Sequence, residues 1–153
     1  MATQYSKATG FHTTGISRSK DIEEVARKLG ADMVANNGGM LKQSDGGGAD
    51  IVPVTNNSYK VATEALRGLG PNGRMILMGI SAEPLVVTSR IIGNCCRIIG
   101  SMQNGQEYLY EALDYVAKGK VKVIAETYSL DDIAQAYQKV ASGNVRFRAV
   151  IRN

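Results

Sequence analysis

The 153 residues carry 18 lysines and arginines against 14 aspartates and glutamates, a formal charge of +4, with a hydrophobic fraction of 44% and a mean hydropathy of -0.14. That length suits one domain with a sizeable core and falls short of two of ordinary size, so residues 1–153 are expected to form a single unit. No apolar run approaches the roughly 20 residues of a membrane span, and the basic residues are scattered with few beside aromatics, so neither a membrane nor a nucleic acid is the expected partner.

Met1 to Lys7 lacks the basic flank and apolar block of a secretory signal, which makes the cytoplasm the expected compartment. Met1 to Gly10 reads as a helix, with Ala2, Tyr5 and Ala8 or Thr9 at helical spacing. Phe11 to Ile16 is a short β-prone run, and the polar Ser17-Arg18-Ser19-Lys20 follows it. Ile22, Val25, Ala26 and Leu29 then fall at helical spacing until Gly30. Ala31 to Ala35 reads as a strand, and the glycine-rich stretches at 36–39 and 45–48 read as loops around a weak element.

Asp50 to Thr55 is the next expected strand. Val61, Ala62, Ala65, Leu66 and Leu69 give a helix an apolar face, ended by the turn Gly70-Pro71-Asn72-Gly73. Arg74 to Ile80 is nearly continuously apolar, as a parallel strand covered on both faces would be. Cys95 and Cys96 are adjacent, form no ordinary disulfide, and read as small apolar residues entering a buried strand, Arg97 to Met102. Tyr108, Leu109, Ala112, Leu113, Val116 and Ala117 predict an amphipathic helix stopped at Gly119. Ser129, with Asp132 three residues on, predicts an N-cap for a helix burying Ile133, Ala134, Tyr137, Val140 and Ala141. Gly143 closes that helix before a last strand, Val145 to Ile151.

The order Ala26-Arg27-Lys28-Leu29-Gly30-Ala31-Asp32, Ala65 to Arg74, Leu77-Met78-Gly79, Ile99-Gly100-Ser101 and Val145 to Val150 resembles the medium-chain, zinc-type alcohol dehydrogenases, and within them the NADP-using, cinnamyl-alcohol-dehydrogenase-like branch. The resemblance covers the cofactor-binding domain and carboxyl-terminal segment of such enzymes. It implies an α/β fold, a Rossmann-like, doubly wound and mostly parallel sheet with helices on both faces, with ligands at the carboxyl ends of its strands. It also implies what is missing: the usual first strand and its glycine-rich turn, which hold the pyrophosphate. Gly46-Gly47-Gly48 does not replace that turn, since it precedes a strand. The neighbours of the absent strand are expected either to pair directly or to be bridged by another chain.

On this plan Ser17, Arg18, Ser19 and Lys20 stand where the family chooses its cofactor. Hydroxyls and cations there suit the 2′-phosphate of NADP better than the free ribose of NAD; the plainer alternative is a serine capping a helix. Thr55, Asn56, Gly79, Ile80, Gly100, Ser101 and Met102 end their strands and, by resemblance, line the nicotinamide and its ribose, with turn chemistry as the alternative for the glycines. Arg148 aligns with a basic residue reaching toward the cofactor; Arg146 is its alternative, on the same strand face.

Zinc in this family is held by Cys and His, often with a carboxylate, of an amino-terminal domain. Here His12 is the only histidine and has no Cys or carboxylate at ligand spacing, so no residue is singled out as catalytic or metal-binding. Three readings remain: the cofactor-binding part of an alcohol or aldehyde oxidoreductase completed by a catalytic domain; a free-standing nucleotide-binding module; and an oligomerising unit, forming a homodimer through the strand that ends near Ser101.

Overall fold

The computed structural model describes residues 1–16, 20–44, 47–101 and 105–153, with the side chains of 20–22, 43 and 44 set aside. Strands and helices alternate: α1 (Ala2–Ala8), β1 (Thr14–Ile16), α2 (Lys20–Lys28), β2 (Met33–Ala35), α3 (Gly38–Ser44), β3 (Ala49–Val54), α4 (Tyr59–Leu66), β4 (Leu69–Leu77), α5 (Arg90–Gly93), β5 (Arg97–Gly100), α6 (Gln106–Ala117), β6 (Glu126–Ser129), α7 (Ile133–Ala141) and β7 (Ala149–Arg152). All described pairings are parallel, in three ladders: β1-β2, β3-β4-β5 and β6-β7. Parallel strands joined by helices are the Rossmann-like α/β arrangement expected. Among the described residues β1 and β3 share no ladder, so they do not pair directly.

The core belongs to the three-stranded ladder. Val52 and Val54 of β3, Leu69 and Met75 of β4, and Ala62 and Ala65 of α4 bury against Ala35 and Leu41. The alanines matter because a small residue on α4 lets the helix settle onto the strands. On its other side α1 is tied down by hydrogen bonds. Tyr5 OH donates to the Ala112 carbonyl at 3.0 Å, and the Gln4 amide exchanges two bonds with the Lys122 backbone. The Tyr5 and Tyr115 rings meet edge to face at 5.8 Å. Lys7 pairs with Asp32, whose carboxylate also accepts the Thr13 N–H at 2.8 Å. Those bonds hold the Asp32 carboxyl below its ordinary range.

Several elements differ from the sequence expectation for local reasons. The glycines at 38 and 39 open α3 rather than a loop, and a Cβ on Gly38 would lie 2.3 Å from the Glu64 carbonyl oxygen. Glycine there serves the close approach of α3 to α4. Leu69 begins β4 instead of ending α4, pairing with Ala49 before the register resumes at Ile51 and Arg74, so residues 70–73 form an irregularity within the strand. The same strand stops at Leu77, leaving Met78 to Ile80 beyond it. Cys95 lies outside the strand, exposed in a left-handed turn, while Cys96 is half-buried with its thiol on the Gly70 carbonyl.

Asp132, not Ser129, is the N-cap of α7: Ser129 is held in β6 opposite Arg152, and its hydroxyl donates to the Asp132 carboxylate. Of that helix's expected stripe only its neighbour Ala136 is buried, and Ile133, Tyr137 and Val140 are exposed. The apolar face of α6 is likewise open at Tyr108, Leu109 and Leu113. β7 begins at Ala149, opposite Glu126, whose side chain takes the Arg146 N–H and whose own N–H goes to the Arg148 carbonyl. Arg146 and Arg148 therefore precede the ladder, and strand alternation does not place them on one face.

Glu126 joins β6, α7 and the approach to β7. Its carboxylate accepts Lys139 Nζ, Tyr128 OH and the Arg146 N–H, and these bonds, with Lys139 foremost, depress it from 4.5 to about 2. A carboxyl depressed in the folded state contributes stability that is full above pH 4.5 and lost as pH falls through about 2. The urea midpoint of the native chain is expected to fall across that window, and by a visibly smaller amount in Glu126→Gln. A second expectation comes from burial. Met75 is 0% exposed and Ile80 82%, so Met75→Ala costs about 2–5 kcal/mol in urea unfolding while Ile80→Ala stays within about 0.5 kcal/mol.

Candidate functional site

Parallel pairing aligns the strand ends. Val54 stands opposite Leu77, and Leu77 opposite Gly100. Each strand's exit is fastened to its neighbour: the Met78 N–H donates to the Val54 carbonyl at 3.1 Å, and the Ser101 N–H to the Leu77 carbonyl at 2.9 Å. Thr55 and Asn56, Gly79 and Ile80, and Gly100 and Ser101 consequently sit side by side along one carboxyl rim. Six of the residues singled out from sequence are brought together there.

The two rim glycines are not equivalent. A Cβ on Gly79 would lie 2.1 Å from the Asn56 carbonyl oxygen, so that glycine is required by packing between two strand exits. Gly100 meets nothing within 4 Å and leaves open space above the sheet. Asn56 is exposed and held by its own loop, its Oδ1 accepting the Ser58 N–H at 2.9 Å. Ile80 projects its apolar side chain into solvent at the rim.

Glu83 was not legible from the sequence. Its Oε2 accepts Ser58 Oγ and the Lys60 N–H, both at 3.2 Å, and so supplies an acceptor in the first turn of α4, where the N-cap Ser58 makes no side-chain cap bond. This bond draws the loop after β4 over the exit of β3. No local motif announces it, because cap and helix are 23 residues apart.

The remaining expected residues lie elsewhere. Ser17, Arg18, Ser19 and Met102 are outside the described residues; Lys20 starts α2, with its side chain also outside. Arg148 lies near the amino end of α1. The Met1 ammonium is held below its ordinary range, first by burial and then by the Arg148 charge. Two cations thus share that corner. His12 lies on the exposed segment before β1, and among the described residues no three His, Cys, Asp or Glu side chains come together as a metal site.

The profile of the zinc-binding dehydrogenase family matches residues 1–118. The chain belongs to that family. It is 29% identical over 158 aligned residues to an alcohol dehydrogenase of Geobacillus stearothermophilus, spanning 99% of this chain and 47% of that protein. A probable cinnamyl alcohol dehydrogenase 2 of Picea abies is 32% identical, over 99% of this chain and 43% of its own length. The alcohol dehydrogenase of the archaeon Aeropyrum pernix superimposes with a TM-score of 0.89 at 24% identity, covering 99% of this chain and 46% of the other, which shows a shared fold. The family member described here therefore spans less than half the length of the relatives it matches, and it corresponds to the cofactor-binding and carboxyl-terminal part of zinc-type alcohol dehydrogenases.

The contrast between the rim glycines has a measurable consequence. Gly79→Ala forces the β3 and β4 exits apart and costs about 1–3 kcal/mol. Gly100→Ala, with open space around it, changes urea stability by about 0.5 kcal/mol or less.

Proposed function

We propose that the chain is the cofactor-binding part of an NADP-dependent alcohol or aldehyde oxidoreductase, and that residues 1–153 act as one unit that is inactive without a catalytic domain. The observation that supports this most is the in-register rim: Thr55, Asn56, Gly79, Ile80, Gly100 and Ser101 end three adjacent parallel strands, the place where open α/β sheets bind ligands. When bound, the nicotinamide supplies the hydride-transfer chemistry. This chain's part is to bind and orient it. The open space at Gly100 admits a flat ring, and the backbone at Ser101 borders it. Ser17, Arg18, Ser19 and Lys20 follow β1 and offer hydroxyls and two cations to a 2′-phosphate. Arg148, beside the start of α1, is a further cation for the phosphates. No residue here is assigned to a metal.

The rest of the enzyme has surface to cover. The chain exposes 10532 Å², against about 7,500 Å² for a folded monomer of its mass. Much of the apolar part lies on α6 and α7, and a zinc-holding catalytic domain is the partner proposed for it. Among the described residues β5 pairs only with β4; its other edge is the proposed homodimer contact, and a charge at Ile99 should weaken it. The compartment proposed is the cytoplasm. A non-catalytic nucleotide-binding or oligomerisation module is the second reading, and the same aligned rim supports the nucleotide-binding form of it.

Calorimetric titration of the chain with NADPH and NADH tests the cofactor assignment. NADPH should bind at least about tenfold more tightly, and the Arg18→Ala, Lys20→Ala double variant should lose that preference, since charge-assisted bonds are worth about 1.5–3 kcal/mol each. Equal affinity for the two cofactors would refute it. Aldehyde-dependent NADPH oxidation by the isolated chain would instead overturn the claim that it is inactive alone.

A further inference from the structure

A small cavity lies at the end of the sheet opposite the rim. The last turn of α4 and the stretch 86–91 that leads into α5 form its walls. Arg67 lies just before β4 and Cys96 just before β5, and both line it, so it sits at the amino ends of these strands. The stretch before α5 is moored to α4 by the Val86 N–H, which donates to Thr63 Oγ1 at 3.1 Å. Thr63 keeps its own hydroxyl proton to donate.

Four side chains in the wall carry donors: Thr63, Arg67, Thr88 and Arg90. No carboxylate is among the described residues that line the cavity. Arg90 is the group that needs an anion. Its Nη2 is buried and has no hydrogen-bond partner among the described residues, and a guanidinium does not shed its charge by losing a proton. A buried charge is unfavourable until a counter-charge reaches it, and a water would pair the donor without compensating the charge. The end of α4 does not serve, because the Glu64 and Ala65 carbonyls accept the Arg67 and Gly68 N–H groups. Arg67 is held only by Glu64 at 3.4 Å, with both side chains at least half exposed, and an exposed pair of that kind is weak.

The cavity measures about 60 Å³, and since one water takes about 10–15 Å³ of such space, it holds roughly four to six heavy atoms. We propose that it is a binding site for a small tetrahedral oxyanion, inorganic phosphate. The Arg90 and Arg67 guanidinium groups are its counter-charges, and the Thr63 and Thr88 hydroxyls are its neutral donors. The flexible stem of Arg90 lets the guanidinium turn Nη2 onto an oxygen of the ion. A tetrahedral ion presents acceptors in four directions to donors from α4 and from the stretch before α5, whereas a carboxylate presents two oxygens in one plane. Leu66 and Ile91 add apolar walls, which keep water out and strengthen the attraction. Seated there, the ion ties α4 to the approach of α5. The site shares no residue with the rim, so failure of NADPH binding leaves this inference untouched.

Inorganic phosphate titrated calorimetrically into the 153-residue chain, at neutral pH and constant ionic strength, is the test. One saturable event is expected. Arg90→Gln should weaken it at least about tenfold, whereas Lys28→Gln, which removes the same charge from α2, should change it by less than about twofold. Acetate should bind at least about tenfold more weakly than phosphate. Urea unfolding adds a readout that a merely structural arginine would not give. Without phosphate, Arg90→Gln should be no less stable than the native chain, and phosphate should raise the midpoint of the native chain alone. Absent saturation, equal phosphate affinity in Arg90→Gln, equal affinity for acetate, or an Arg90→Gln chain destabilised in phosphate-free buffer would each overturn the proposal. So would displacement of the phosphate by NADPH, which would put the ion at the cofactor site.

Discussion

Everything useful in this chain hangs on the register between β3, β4 and β5. That register is fixed from below by burial: Met75 and Leu69 on β4, Val52 and Val54 on β3, and the alanines of α4 form one apolar cluster. A slip of one residue would turn Val52 and Val54 outward and Ile51 and Pro53 inward, so the cluster specifies a single alignment. From above, the Met78 and Ser101 amides lock each strand exit to its neighbour. The rim is therefore a consequence of the core, built by residues that never approach a ligand.

Outside that ladder the same chain is sparsely covered. β6, β7 and α7 are held by a polar device, the Glu126 carboxylate with Lys139, Tyr128 and the Arg146 amide, more than by burial, since only Ala136 of α7 is buried. Tyr108, Leu109, Tyr110 and Leu113 of α6 and Ile133, Tyr137 and Val140 of α7 stay exposed. Hydrogen bonding can set the geometry of such a unit. Covering its apolar face requires another surface.

The alternation of strand and helix was legible in the sequence because periodicity and glycine punctuation act locally. Gly30, Gly119 and Gly143 end helices in the left-handed conformation as expected of them. What was not legible depended on partners far along the chain. Gly38 in α3 packs on the Glu64 carbonyl, Leu69 joins a strand opposite Ala49, and Ser129 stays in a ladder opposite Arg152 instead of capping α7. The candidate rim followed the same division. Its residues could be named from strand ends, but their lateral alignment, and the difference between a glycine packed on Asn56 and one facing open space, exist only once the strands are paired.

The split sheet also sets how binding and stability are connected. β1 belongs to one ladder and the rim to another, and residues of both line one cleft. A ligand that touches both sides of the cleft holds them at one separation. That calls for no change within β3-β4-β5, whose register is already fixed by Met75 and its neighbours. The residues that meet across this space include small ones, Gly15 and Ala26 on one side and Ala62 and Ala65 on the other.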